Sequence, residues 1–295
     1  MPKFAQMVIG PAGSGKSTYC DVLHEHCEAI RRPVHFINLD PAAEHFNYPV
    51  AVDVRQLITV QDVMEELKLG PNGGLMYCME FLEESLDDWL EEELAAYGED
   101  ESIVIDCPGQ VELCSHGGVL RSVVDWLQRK GWTVCAVYCL DSQFLTNAGK
   151  YIAGALQALS AMVTLETPHV SVMTKMDLLP DHLRDDVESL LLPDTEVMAS
   201  SLQAHGPPRM RALSEALAGL LEDFSLVAFV PLNIRDEDSI ATVLGQVDVA
   251  VQYGEEFEVK DREFEDLGMG PQNWEDRNDA ERDAMEGMLQ GLGMR

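Results

Sequence analysis

Gly10-Pro11-Ala12-Gly13-Ser14-Gly15-Lys16-Ser17-Thr18 has the types and spacing of G-x-x-x-x-G-K-[ST], which suits one chemistry, the cradling of nucleotide phosphates. Glycines at positions 10, 13 and 15 permit positive φ, so that backbone N–H groups turn inward around phosphate oxygens. Gly13, Ser14, Gly15, Lys16, Ser17 and Thr18 are therefore the candidate phosphate contacts. Lys16 is expected to reach the β- and γ-phosphates, and the Ser17 hydroxyl to ligate Mg²⁺. The bland alternative, a glycine-rich turn that binds nothing, is disfavoured by what flanks the pattern. An apolar run at 4–9 reads as a buried strand, and Tyr19, Leu23, Cys27 and Ile30 recur at helical spacing.

Two acids stand where further apolar runs stop. The run 34–39 ends at Asp40-Pro41, and 102–106 ends in Asp106 and continues as Cys107-Pro108-Gly109-Gln110. In an open α/β sheet ligands sit beyond the carboxyl ends of the strands, which aims both acids at the phosphate site. Asp106 is the expected partner of Mg²⁺, directly or through water. Gln110 is of the type that orients an attacking water, with Asp40 and Glu112 as further candidates for that task. A later run, 169–173, leads into Thr174-Lys175-Met176-Asp177. There the Asp177 carboxylate can accept from guanine N1–H and the 2-amino group side by side, which adenine does not offer. The Lys175 stem packs along the base, and Thr174 replaces the commoner Asn with a hydroxyl. This points to GTP over ATP.

The elements that must position these residues follow from periodicity and breakers. Strands are expected at 4–9, 34–39, 102–106, 133–140, 169–173 and 226–231, the last placing Leu232-Asn233 near the base. Residues 50–69 read as mostly helical. Gly70-Pro71-Asn72-Gly73-Gly74 reads as a loop, because Pro and a glycine run interrupt helices. Residues 75–97 read as one long helix with Met76, Met79, Leu82, Leu86, Trp89 and Leu90 along one side. Helices are also expected at 151–163 and 238–253, and two or three within 181–223. Residues 261–295, rich in glycine, methionine and acids, read as a largely disordered tail with one helix around 278–289.

Composition narrows the function. The chain has 20 basic against 52 acidic residues, a net charge of −32, which argues against direct binding to nucleic acid or anionic lipid. Its seven cysteines are odd in number and form no C-x-x-C, so reduced thiols in an intracellular protein are expected and a zinc site is not. No apolar run reaches the length of a membrane span, and the N-terminus lacks a signal-peptide layout.

With these pieces in order, residues 1–260 resemble the GPN-loop GTPases, named for a Gly-Pro-Asn loop that stands here as Gly70-Pro71-Asn72. Residues 38–48, 173–179 and 141–144 are most similar to the third eukaryotic paralogue, whereas Pro231-Leu232-Asn233-Ile234 is closer to the second. The resemblance implies an α/β P-loop NTPase fold of SIMIBI type, with a mostly parallel central sheet flanked by helices and a Gly-Pro-Asn insertion over about 60–97. It implies a dimer, with itself or with another paralogue, in which Asn72 enters the partner's site. It also implies a cytoplasmic protein, shuttling to the nucleus, that works with RNA polymerase II subunits in assembly and nuclear import of that enzyme. The expected activity is Mg²⁺-dependent hydrolysis of GTP to GDP and phosphate. Two rivals stay open at this point: an ATP-using small-molecule kinase or ligase, and a guanine-nucleotide-gated scaffold with little turnover.

Overall fold

A computed structural model describes residues 3–98, 101–110, 118–180 and 228–254, with isolated positions at 191, 212–213, 216–217 and 219. Glu112, most of the 181–223 stretch and all of 261–295 lie outside the described residues.

Among the described residues seven strands form one parallel sheet: β1 Lys3–Ile9, β2 Val34–Asn38, β3 Val50–Asp53, β4 Ser102–Asp106, β5 Trp132–Asp141, β6 His169–Thr174 and β7 Phe229–Pro231. Their order is β3-β2-β4-β1-β5-β6-β7, and every pairing is parallel. The central strands are apolar along their length because helices cover both faces, as a parallel sheet requires. The covering helices are α1 Lys16–Ala29, α2 Val60–Leu67, α3 Pro71–Glu84, the short α4 Glu91–Leu94, α5 Val119–Arg129, α6 Ala148–Leu165 and α7 Glu237–Val251.

The chain builds one side of β1 first and then crosses to the other with β5, so the crevice beyond the carboxyl end of β1 is a topological switch point. Register then brings the chemistry together. Val8 pairs with Asp106, Asn38 pairs with Asp106, Ile9 pairs with Tyr138, and Asp141 pairs with Thr174. Gly10, Asp40, Asp106 and Lys175 therefore leave the sheet at one edge.

Three expectations need correction. Residues 50–53 are a strand and not the start of a helix; 54–56 form a single 3₁₀ turn, and only 60–67 are α-helical. The run Val-Ala-Val-Asp is too short for periodicity to separate the two states, and pairing with β2 decides it. The Gly70–Gly74 stretch is not all loop. Gly70 is the N-cap of α3 and Pro71 its first helical residue, where the missing N–H costs nothing and the fixed φ fits. The long helix of 75–97 is interrupted after Glu84. The Ser85 hydroxyl donates to the Phe81 carbonyl at 2.8 Å, and residues Leu86–Leu90 form a π-helical turn before α4. The expected apolar stripe survives that break, with Met79, Leu82, Leu86 and Leu90 buried in the core.

All six described cysteines, Cys20, Cys27, Cys78, Cys107, Cys135 and Cys139, are buried. Among the described residues no helix is long and apolar enough to cross a membrane. At the start of β6, His169 stacks on Tyr138 at 6.1 Å, with both ring nitrogens buried and without a hydrogen-bond partner among the described residues. Burial pushes its pKa down to about 4. The unfolded chain protonates this histidine near its ordinary value while the fold keeps it neutral, so stability falls as pH drops from about 6.5 towards 4. The limit of that loss is of the order of 3 kcal/mol. His169→Phe keeps the ring packing and is expected to flatten the acid side of the melting-temperature profile; an unchanged profile would refute the assignment.

Candidate active site

The loop after β1 has the conformation its sequence demands. Gly10, Gly13 and Gly15 adopt φ of 140°, 74° and 91°. A Cβ on Gly10 would stand 2.3 Å from the Cys139 carbonyl oxygen. The N-terminus of α1 is capped by no side chain, so its first-turn N–H groups and helix dipole face the crevice. Ser14 is buried, and its hydroxyl has no hydrogen-bond partner among the described residues. An orphaned buried hydroxyl in a ring of inward N–H groups is the arrangement a phosphate oxygen would satisfy. Lys16 is buried in the same ring, where its Nζ donates to the carbonyls of Gly10 at 3.2 Å and Pro11 at 3.3 Å. Thr18 lies exposed on the first turn of α1.

Ser17 and Asp106, the two residues expected to hold Mg²⁺, stand in contact. The Ser17 hydroxyl donates to Asp106 Oδ2 at 2.7 Å, and the Tyr48 hydroxyl donates to the same oxygen at 2.8 Å. Burial raises the Asp106 carboxyl above its usual range; these two bonds and the Lys16 charge offset that only in part. Burial raises Asp40 as well, against the Ala42 N–H, Lys16 and Arg55. Two desolvated carboxylates near one lysine favour an added cation. A hydroxyl and one carboxylate beside a phosphate cradle suit Mg²⁺, which keeps most of its ligands as water and phosphate oxygens.

Gly109 brings Gln110 to this centre. A Cβ on Gly109 would come within 2.8 Å of Lys16 Nζ and 2.9 Å of the Ala12 Cα, so only glycine allows the approach. Gln110 Nε2 in turn donates to Asn72 Oδ1 at 3.3 Å. The structure thus joins Asn72 to Gln110 within one chain, a neighbourhood that their separation in sequence does not reveal. Such an exposed contact is worth about 1 kcal/mol, little enough for a bound nucleotide to rearrange.

At the end of β6, Thr174 performs the anchoring that its hydroxyl permits. It donates to the Ser14 carbonyl and to the Leu140 carbonyl, tying β6 to the phosphate loop and to β5. Lys175 sits in the left-handed region at φ 58°. Its Nζ donates to the Gly13 carbonyl at 2.6 Å and to Asp141 Oδ2 at 2.7 Å, while Ser142 donates to its carbonyl. Three anchors at one residue are the kind of over-determination that holds a non-glycine there. The Asp177 side chain is 7% exposed and lines a cleft of about 320 Å³ with Asn233, Arg235, Asp236 and Ser239. The Leu232 N–H donates to the Met173 carbonyl at 2.8 Å, which sets Asn233 beside Asp177 as expected. Reasoning from sequence missed Asp141, Tyr48, Arg55 and Arg235. Only Asp141 carried a signal, as an acid closing a buried strand.

Comparison with known proteins decides the family. Residues 8–253 match the family model described as conserved hypothetical ATP binding protein. A GPN-loop GTPase 3 of Dictyostelium discoideum is 50% identical over 267 residues, 90% of this chain and 93% of that protein. The chain belongs to the GPN-loop GTPase family. A GPN-loop GTPase 3 of Danio rerio is 49% identical over 264 residues, 88% of this chain and 92% of that one. Among solved structures, a GTPase of Pyrococcus abyssi in apo form superposes with a TM-score of 0.71 at 21% identity. It covers 84% of this chain and 97% of its own, and confirms the α/β fold of this GPN-loop chain. The paralogue expected from residues 38–48 and 173–179 is the one these curated relatives carry in their names.

Proposed function

We propose that this GPN-loop chain is a Mg²⁺-dependent GTPase that hydrolyses GTP to GDP and phosphate, works as a dimer, and serves the assembly and nuclear import of RNA polymerase II. The observation that carries the hydrolytic reading is the convergence of Lys16, Ser17, Asp40, Asp106 and Gln110 on one crevice, with Lys175 bonded to the Gly13 carbonyl of the same loop. The phosphate loop and Lys16 hold the β- and γ-phosphates, and Ser17 with Asp106 holds the metal. Bound Mg²⁺ supplies charge neutralisation on the phosphoryl oxygens. Gln110, Asp40 and Asn72 orient the attacking water. Asp177 favours guanine over adenine, although the matching family model is described by ATP. Two hydrogen-bond acceptors on one carboxylate face the guanine edge as adenine cannot.

Dimerisation is supported by the surroundings of Gly70-Pro71-Asn72. Leu67 at the end of α2, Leu69 in the connection that follows and Tyr77 in α3 flank the segment and are all exposed large hydrophobics. Scattered singly they would need no explanation, but beside an exposed motif they suit an interface. The segment has no basic residue, so an asparagine amide would take the place that an arginine finger holds in other GTPases. The polymerase subunits as clients, the pairing with another paralogue, and residence in the cytoplasm with passage to the nucleus rest on the family resemblance and on a −32 charge suited to basic partners.

The test is phosphate release against protein concentration, with GTP or ATP. Specific activity that rises with concentration and needs GTP and Mg²⁺ is expected. Flat, near-zero release with intact GTP binding would remove the hydrolytic reading. Asn72→Ala is expected to leave GTP affinity within about threefold while lowering turnover by about 10- to 100-fold, the size of one lost electrostatic donor or less. Lost affinity with unchanged turnover would rule out its catalytic placement.

A further inference from the structure

Asp40 and Tyr48 sit on a connection, residues 40–48, that has no helix or strand to stiffen it. Something must hold it, since Asp40 faces the phosphate centre and Tyr48 bonds the carboxylate of Asp106. The structure traces that support outward to β3, the strand periodicity does not reveal. At the end of β2, Asn38 accepts from the Asp40 N–H at 2.9 Å and donates to the Asp40 carbonyl at 3.0 Å and to Asp53 at 2.9 Å. Asp53, at the end of β3, takes Arg55 Nε at 2.9 Å and Nη2 at 2.6 Å on its Oδ2. The free arm of the guanidinium, Nη1, donates to the carbonyls of Ala43 at 3.0 Å and Glu44 at 3.3 Å. Its plane stands over Phe46 at 4.7 Å, and Phe46, Tyr48 and Phe36 pack in succession at 5.4 and 5.2 Å.

We propose that Arg55, locked by Asp53, is the positioning residue of the catalytic connection: it buckles residues 40–48 onto the sheet edge and so sets both Asp40 and the Tyr48 bond to Asp106. An ordinary half-exposed ion pair would contribute little and would end at its acid. Here the fork uses one side for Asp53 and the other for two backbone carbonyls of the connection. Arginine can do this and lysine cannot, because an ammonium offers three donors from one point and no plane to lay on Phe46. Asp53 holds its carboxyl below the usual range under the pull of Arg55 and Asn38, so the pair stays ionised at neutral pH.

This inference rests on the hydrolytic reading for its effect on rate, but its structural half stands apart. The experiment compares the full chain with Arg55→Lys and Arg55→Ala, measuring amide hydrogen exchange without nucleotide, melting temperature, and kcat and KM for GTP. Arg55→Lys is expected to keep the melting temperature within a few degrees while exchange at 40–48 quickens about tenfold or more. The rate constant kcat should fall by about tenfold or more, with KM changed less than threefold, as misplacement of a positioned group predicts. Exchange at 40–48 equal to wild type in both variants would overturn the proposal, as would faster exchange spread evenly over the sheet. If wild type itself releases no phosphate while the local exchange effect appears, the buckle stands and the hydrolytic reading falls.

Discussion

Lys16→Ala is expected to lower GTP turnover by about 10²- to 10³-fold while the chain stays folded. The loss is large because Lys16 Nζ is buried in the phosphate loop and, by the loop pattern, is the charge expected to reach the γ-phosphate. Folding survives because among the described residues the lysine bonds only the carbonyls of Gly10 and Pro11, which water can satisfy once the side chain is gone. Lys16→Arg should fare no better. Gly109 already stands close to Nζ, leaving no room for a guanidinium. Phosphate release under saturating GTP, with a melting curve of each variant, checks both. Activity within tenfold of wild type for the alanine variant would mean that the crevice is not where phosphoryl transfer occurs.

Asp177→Asn is expected to weaken GTP by about 10²-fold or more and to raise the relative affinity for xanthosine triphosphate. Each hydrogen bond to a charged acceptor is worth about 1.5–3 kcal/mol, and the carboxylate can take two from guanine. The amide keeps one acceptor and turns the other position into a donor, which faces the 2-amino group badly and a 2-oxo group well. Burial sharpens the effect, because water cannot repair a mismatch at a side chain 7% exposed. Competition of GTP, xanthosine triphosphate and ATP against a labelled nucleotide measures it. GTP affinity unchanged within threefold would show that the cleft beside Asn233 and Arg235 does not hold the base.

Much of the phosphate site was legible because its chemistry is written in consecutive residues. A glycine loop needs φ values that few other residues adopt, so Gly10, Gly13 and Gly15 announce it locally. Asp40 and Asp106 were legible for a second reason: central parallel strands are continuous apolar runs, and what ends them stands at the ligand edge. The edge strand β3 was not, since four residues with a mixed burial pattern carry no usable period. The start of α3 at Pro71 was misread because the same proline that ends one helix can begin the next.

The sequence by itself determined the family and carried the reading of ligand class and guanine preference, because each lives in short motifs whose conformation or hydrogen-bonding pattern is local. Only the tertiary structure decided that Asn72 meets Gln110, that Tyr48 shares the Asp106 oxygen with Ser17, and that Asp141 steadies Lys175. These partners lie far apart in the chain and are joined by strand order and register. A side chain's distant neighbours follow from where the sheet sets the backbone, which no local spacing encodes.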